Sequence, residues 1–495
     1  MLATLLRQDP SLALATDQYE LTMAMGYWKN GMAERDAVFQ MFYRTNPFGN
    51  GFVVNAGLAT FVDFLREFKF SRTDLDYLAT LKGRKGGQLF SDGFLRYLEE
   101  LKFTCDIDAV PEGTVVFPHE PLMRVRGPIL QAQLLEGALL NTINFQSLIA
   151  TKASRVCLAA EGDPVIDFGL RRAQGLDGAL SASRACYIGG CVGTSNVLAG
   201  KLLGIPVMGT HGHSWVMAFD SEIEAFRAFA DTMPDNCLFL VDTYGTADGV
   251  RHAIEIGHQL RDEGYEMVGV RLDSGDLAYF SKMARKMLDE AGMPDALVLG
   301  SNELDEFVIR SLKSQGAKLN AWGVGTNLIT AKNDPALSGV YKLTAMKKAN
   351  SEVWDYKLKL SEQRTKISVP GILQAYRFFD GSGKMRADAV VEVDENPEAV
   401  DSIIDPNDNT HIKRISKMSR FEPLLQPVYR AGELVAELPS LEEIRARTAE
   451  QMDHLDDSHK RFEFPHMYPV GLSPALNTMR DNMIRRERDL LNGNG

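Results

Sequence analysis

No apolar run in this 495-residue chain reaches the roughly 18 residues that a membrane-spanning helix needs. The opening segment MLATLLRQDPSLALATDQYE places Arg7, Asp9 and Pro10 where a signal peptide requires an unbroken apolar core. A cytoplasmic protein without membrane association is therefore expected. Cysteine is scarce: Cys105, Cys157, Cys186, Cys191 and Cys237 form no CxxC pair and have no histidine at zinc-ligand spacing. This excludes a disulfide scaffold or zinc ribbon and predicts reduced, mostly buried thiols. An excess of positive charge is also missing. Lys and Arg number 54 against 66 Asp and Glu, a formal net charge of −12, which opposes general attraction to nucleic acid or to an anionic membrane. If the substrates are anions, the cations that hold them must be local, at strand or helix ends.

The chain is 45% hydrophobic and 24% charged, an ordinary folded composition, and its length suits two or three packed units. The middle third repeats a short apolar run ending in small or polar residues, followed by a longer segment with helical spacing. The runs are 165–168, 206–209, 238–242, 268–271, 297–300 and 321–324. Leu277, Phe280, Met283, Ala284, Met287 and Leu288 form one helical stripe, opened by Asp273-Ser274 and closed by Gly292, and 246–263 repeats the pattern. Strands without polar alternation indicate a parallel sheet buried on both faces, and six successive βα units favour an irregular (βα) barrel over a short open sheet. The expected division is a barrel-like catalytic domain at 141–345, a second α/β or β-rich domain built from 1–140 and 346–440, and a helical C-terminal arm at 441–495 with a frayed tip.

Barrel chemistry sits at the C-terminal ends of strands, and there the polar residues concentrate: DFGLRR, GTHGHS, DTYGT, RLDSGD, GSNEL and GVGT. Gly209-Thr210-His211-Gly212-His213-Ser214 leaves three readings open, namely a metal pair, a hydrogen-bonded turn and a nucleophile. The other histidines form no further cluster to supply a third ligand. Arg271 can grip a carboxylate or phosphate bidentately, while Asp273 can hold a ribose hydroxyl, a Mg²⁺ water shell or simply the helix N-terminus. Gly323-Val324-Gly325-Thr326 and Gly300-Ser301-Asn302 expose backbone N–H groups suited to phosphate. Phe168 followed by Arg171 and Arg172 reads either as a core ring with surface cations or as a binding edge, and Tyr19 opens a helix near the N-terminus.

Taken in order, TDQYELTMA, DFGLRRAQG, GGCVGTSNVLAG, GTHGHS, VDTYGT, GVRLDSGD and GVGTNL closely resemble the nicotinate phosphoribosyltransferase family over roughly residues 12–345. The resemblance implies a type II phosphoribosyltransferase fold and a homodimer. It also implies a reaction that consumes nicotinate and phosphoribosyl pyrophosphate with Mg²⁺, coupled to ATP hydrolysis. On the matching positions His213 becomes the phosphorylated histidine, at the fifth place of a GTxxHS-type motif, while His211 falls at a variable place. Thr210 and Arg271 are expected on nicotinate, Gly325 and Thr326 on the phosphoribosyl phosphate, and Arg171 on the pyrophosphate. Phe168 and Tyr19 would sandwich the pyridine ring, Tyr19 reaching in from the partner subunit. Asp273 and Asp242 carry over to ribose or Mg²⁺. Ser195 stands where nicotinamide-using relatives carry aspartate. The alternatives are that nicotinamide-using enzyme and a non-catalytic nucleotide-binding relative. An aldolase- or isomerase-type phosphate-binding barrel predicts a Schiff-base lysine or a carboxylate base at a strand end, and no lysine stands there.

Overall fold

The computed structural model describes residues 12–363, 366–415, 418 and 420–491. The chain forms two compact units, one of Ile149–Pro335 and one built from both ends, Met1–Leu148 with Ala336–Gly495. The expected domain boundaries were 141 and 345.

The 149–335 unit is organised by six parallel strands, Val165–Asp167, Gly193–Thr194, Leu238–Leu240, Gly269–Leu272, Leu297–Gly300 and Ala321–Val324. Consecutive strands from Leu238 onward are neighbours, and the last pairs with the first, Trp322 opposite Val165 and Val324 opposite Asp167. The expected strand at 206–209 is reduced to a single parallel bridge between Val207 and Thr194, and a short strand at Gly193–Thr194 takes the edge beside it. That segment nonetheless meets both sheet edges. The Met208 amide donates to the Thr194 carbonyl at 2.9 Å, the Thr210 hydroxyl donates to the Leu238 carbonyl, and the Leu240 amide donates to His211 Nε2 at 3.3 Å. The two edge strands share no ladder, and the 206–211 segment meets them through these single hydrogen bonds. Ile166, Leu238, Leu299 and Ala321, from four strands, share one buried cluster.

Amphipathic helices follow the strands. Leu277–Glu290 buries Leu277, Ala278, Ser281, Ala284 and Leu288. Its N-cap is Asp276, whose carboxylate accepts from the Tyr279 amide at 2.9 Å, rather than the expected Asp273-Ser274. The helix after Leu238–Leu240 runs Thr246–Asp262, close to its expected span.

The other unit interleaves the two ends of the chain. Its seven-stranded antiparallel sheet places Asp36–Tyr43 between Gly339–Lys347 and Met123–Pro128, and Asp106–Ala109 between Met123–Pro128 and Gln426–Arg430. A six-stranded sheet adds the C-terminal strands. The segment from 441 departs from the expected arm. Between Leu441–His454 and Pro474–Leu491 lies the strand Val470–Leu472, which pairs in parallel with Met385–Glu392, and Arg480 is buried with donors on the carbonyls of Pro406, Ile367 and Ser368. Apolar strand residues thus pull this segment into the core. The expected frayed tip falls at 492–495, outside the described residues. Among the described residues no helix is long and apolar enough to cross a membrane.

Candidate active site

Three adjacent strand ends carry the densest polar arrangement of the 149–335 unit. Arg271, on Gly269–Leu272, donates from Nε to Ser301 Oγ at 2.8 Å and from Nη2 to Asp273 Oδ1 at 2.7 Å, and Ser301 donates to the same carboxylate oxygen at 2.5 Å. Burial alone pushes the Asp273 carboxyl up, but Ser301 and the Arg271 guanidinium outweigh it and hold it below the usual carboxylate range. Because Asp276 caps the following helix, Asp273 is free to serve Arg271. Ser301 was expected to present its backbone to a phosphate; its hydroxyl ties the guanidinium instead.

Asp242, just past Leu238–Leu240, accepts from the Asp273 amide at 2.8 Å and the Ser274 hydroxyl at 2.7 Å, both through Oδ2. Its Oδ1 is buried and has no hydrogen-bond partner among the described residues. An unengaged carboxylate oxygen beside Asp273 is a hard donor of the kind Mg²⁺ takes. Among the described residues no group of three or more His, Cys, Asp or Glu forms a metal centre, so an ion here would depend on phosphate oxygens and water for the rest of its shell.

The two histidines of the 209–214 turn have separated. His211 is buried among Phe226, Phe229 and Phe239, and burial lowers it to about 4. With Nε2 accepting from Leu240, it is a neutral structural ring. His213 opens the short helix His213–Met217 and is partly exposed. Its Nδ1 lies 3.1 Å from the Thr243 hydroxyl and its Nε2 lies 3.8 Å from Asp273 Oδ2. The exposed ring is the one that faces the acidic pair.

Phe168 stands at the end of Val165–Asp167, with the Arg271 guanidinium 5.4 Å from its ring centre. A Cβ on Gly323 would lie 2.5 Å from this ring and one on Gly325 3.3 Å from the Phe168 carbonyl oxygen, so glycine at both places admits the close approach. Thr326 opens the helix Thr326–Ile329, and Arg171 is exposed on the turn Leu170–Arg172. Ser195 is partly buried and donates its amide to the Asp167 carbonyl at 2.8 Å. Tyr19 lies in the other unit, on Gln18–Lys29, and is 47% exposed.

The structure therefore joins Arg271, Asp273, Asp242, His213 and Phe168 by direct contacts or shared partners. It gives Ser301 a side-chain role in place of the expected backbone one, and it adds Thr243 and Asp167, which sequence reasoning passed over although each lies inside a motif already in view.

Family models match along nearly the whole chain: the nicotinate phosphoribosyltransferase N-terminal domain at residues 14–144, the nicotinate phosphoribosyltransferase family at 164–366 and its C-terminal domain at 373–480. The chain belongs to the nicotinate phosphoribosyltransferase family. It is similar to the nicotinate phosphoribosyltransferase of Bacillus subtilis, 41% identical over 470 residues and covering 94% of each chain. The Caenorhabditis elegans nicotinate phosphoribosyltransferase is 36% identical over 524 residues, covering 94% of this chain and 92% of that one. Among solved structures, human nicotinic acid phosphoribosyltransferase superimposes with a TM-score of 0.82 at 32% identity, covering 94% of this chain and 99% of that one. Family membership makes the chain an enzyme, and the cluster around Arg271 is its candidate catalytic centre.

Proposed function

We propose that the protein is a cytoplasmic enzyme of NAD salvage. It joins nicotinate to the ribose 5-phosphate of phosphoribosyl pyrophosphate, gives nicotinate mononucleotide and pyrophosphate, and couples this to ATP hydrolysis through a phosphohistidine at His213. The observation that carries the reading is the convergence of Arg271, Asp273, Asp242 and His213 on adjacent strand ends in a chain of this family. The pyridine nitrogen lone pair forms a bond to the ribose carbon while the bond to pyrophosphate breaks, the electron pair leaving with it. The transition state resembles an oxocarbenium ion, so positioning and leaving-group stabilisation carry most of the acceleration.

Nicotinate is flat and anionic. The Phe168 ring and the Arg271 guanidinium answer both properties, Thr210 is a further nicotinate contact, and Ser195 spares the carboxylate the repulsion that an aspartate at this place would bring. Arg171 faces the pyrophosphate, and Gly325 with Thr326 takes the 5-phosphate. Asp242 and Asp273 would hold Mg²⁺, which neutralises phosphate charge when bound. His213 receives the γ-phosphoryl of ATP as a covalent nucleophile. The working form is a homodimer in which Tyr19 of the partner subunit covers the pyridine. Exposed apolar side chains at Leu176, Val197 and Leu202, 73%, 69% and 57% accessible, support a second copy.

The test is labelling with γ-phosphate-labelled ATP. The wild-type protein is expected to form an acid-labile phosphohistidine, and His213→Ala to lose both it and ATP hydrolysis while still folding. A labelled His213→Ala protein would remove His213 from this role.

A further inference from the structure

We propose that Asp167 is a positioning residue whose buried carboxylate clamps together the Phe168–Arg171 turn and the Thr194–Ser195 strand end, and so sets the nicotinate and diphosphate contacts of the reaction. The inference rests on the reading of Phe168, Arg171 and Ser195 given above.

Asp167 is fully buried, and among the described residues it has no ion pair. Its Oδ1 accepts from the Gly169 amide at 2.8 Å, which fixes the turn leading to Arg171. Its Oδ2 accepts from the hydroxyls of Ser183 and Thr194, each at 2.8 Å. The direction of these bonds is forced. An ionised carboxylate only accepts, so both hydroxyls donate to Asp167, while Thr194 Oγ1 accepts from the Asn196 amide at 3.0 Å, Ser183 Oγ accepts from Asn196 Nδ2 at 3.3 Å and the two hydroxyl oxygens lie 3.4 Å apart. The Asp167 carbonyl takes the Ser195 amide as well. One carboxylate therefore collects donors from the turn after the first strand, from the helix Leu176–Ile188 and from the strand Gly193–Thr194.

Burial raises the Asp167 carboxyl and the three donors oppose that rise. A buried carboxylate that is neither ion-paired nor in contact with the Arg271 cluster is costly to keep. In a network satisfied at every member, that cost is met by rigidity of the groups it orients. His213 itself bonds Thr243 beyond the other edge of the sheet and, among the described residues, shares no side-chain partner with the clamp; the 206–208 segment that precedes it is held on the Thr194 backbone, which a side-chain substitution at 194 leaves in place. The clamp should therefore govern the ring and diphosphate side of the reaction and leave the phosphoryl side alone.

Thr194→Val removes one donor with little change of volume, and Ser183→Ala removes the other and serves if the first variant does not fold. For each, and for Thr194→Ser, the measurements are KM and kcat for nicotinate, nicotinamide and phosphoribosyl pyrophosphate, the labelling of His213 from ATP, and the melting temperature. The donor-less variants are expected to raise KM for nicotinate and for phosphoribosyl pyrophosphate by roughly tenfold or more and to shift the nicotinate to nicotinamide ratio. Labelling should stay at the wild-type level, and Thr194→Ser should restore both KM values. Unchanged KM values overturn the proposal, as does a loss of labelling in parallel with nicotinate use, which marks a merely structural role. Ser195→Asp run alongside separates the two levels: if it leaves the nicotinate to nicotinamide ratio unchanged, the assignment of Ser195 fails, whatever the clamp variants do to the diphosphate KM.

Discussion

His211 and His213 lie two residues apart in a glycine-rich turn, and only their surroundings tell them apart. His211 is enclosed by three phenylalanines and depressed to about 4, while His213 is partly exposed beside Asp273. The proposed role of Ser195 in selectivity is testable at the same scale. Aspartate at this place would accept from an amide N–H₂ and repel a carboxylate, so Ser195→Asp should lower kcat/KM for nicotinate far more than for nicotinamide. Steady-state kinetics with both substrates check this, and an unchanged ratio removes Ser195 from selectivity.

Away from the candidate site, Arg377 and Asp388 are paired at 2.6 Å with no exposure, stacked among Phe117 and Tyr468, and Glu120 is buried beside them. Burial, then the neighbouring Asp388, raises Glu120 well above the usual carboxylate range. A raised folded-state value means that the folded protein binds the extra proton. Its contribution to stability is full below the unfolded value of about 4.3 and is lost as pH rises toward the folded one. Glu120→Gln mimics the protonated acid, so its stability should fall less than that of the wild type between acid and neutral pH. Asp388→Asn breaks the close buried pair and leaves Arg377 only Glu120, at 3.9 Å, as an acidic partner, so it should destabilise the protein by up to about 3 kcal/mol. Denaturant titrations across pH read both, and a Glu120→Gln variant less stable than wild type at neutral pH would contradict the assigned protonation.

At the level of elements, the candidate site depends on strand ends brought close by glycine. Gly323→Ala places a methyl 2.5 Å from Phe168 Cε2. The ring must move, so KM for nicotinate should rise by roughly tenfold with phosphohistidine formation intact. Substrate titration beside the labelling assay checks this, and an unaltered KM would mean that Phe168 does not meet the pyridine. The βα units were legible because buried parallel strands are continuous apolar runs and their helices carry a regular stripe, as at 277–288. Two elements were not. The run at 206–209 has strand composition, but the edge beside Leu238–Leu240 is met by the Thr210 hydroxyl and the His211 ring, and sequence periodicity does not see hydrogen bonds made by side chains. Asp273 read as a helix opening because Asp, Ser and Asp stand together, and nothing local says that Asp276 takes the cap. The motif residues Arg271, Asp273, Asp242 and His213 were found in sequence. Ser301 was read only as a backbone donor and Asp167 was not singled out, since their side-chain roles come from partners 28 and 27 residues away.

At the scale of the whole molecule, one unit is continuous and the other is assembled from both ends of the chain, which places Tyr19 and Arg271 in different units. The proposed dimer has a direct genetic test. Tyr19→Ala and Arg271→Ala subunits, co-expressed and pairing at random, should recover about a quarter of wild-type activity, because half the dimers are mixed and each holds one intact site of two. A mixture no more active than the separate variants, with exchange verified, confines Tyr19 to its own chain or to no role. The assignment of the chemistry itself rests on one assay. Formation of the pyridine mononucleotide is followed from phosphoribosyl pyrophosphate with nicotinate or nicotinamide, each with and without ATP and Mg²⁺. The expected result is nicotinate mononucleotide, formed faster or to a higher yield when ATP is hydrolysed, with nicotinamide a poor substitute. Equal kcat/KM for nicotinamide, or no mononucleotide from either base, would contradict it.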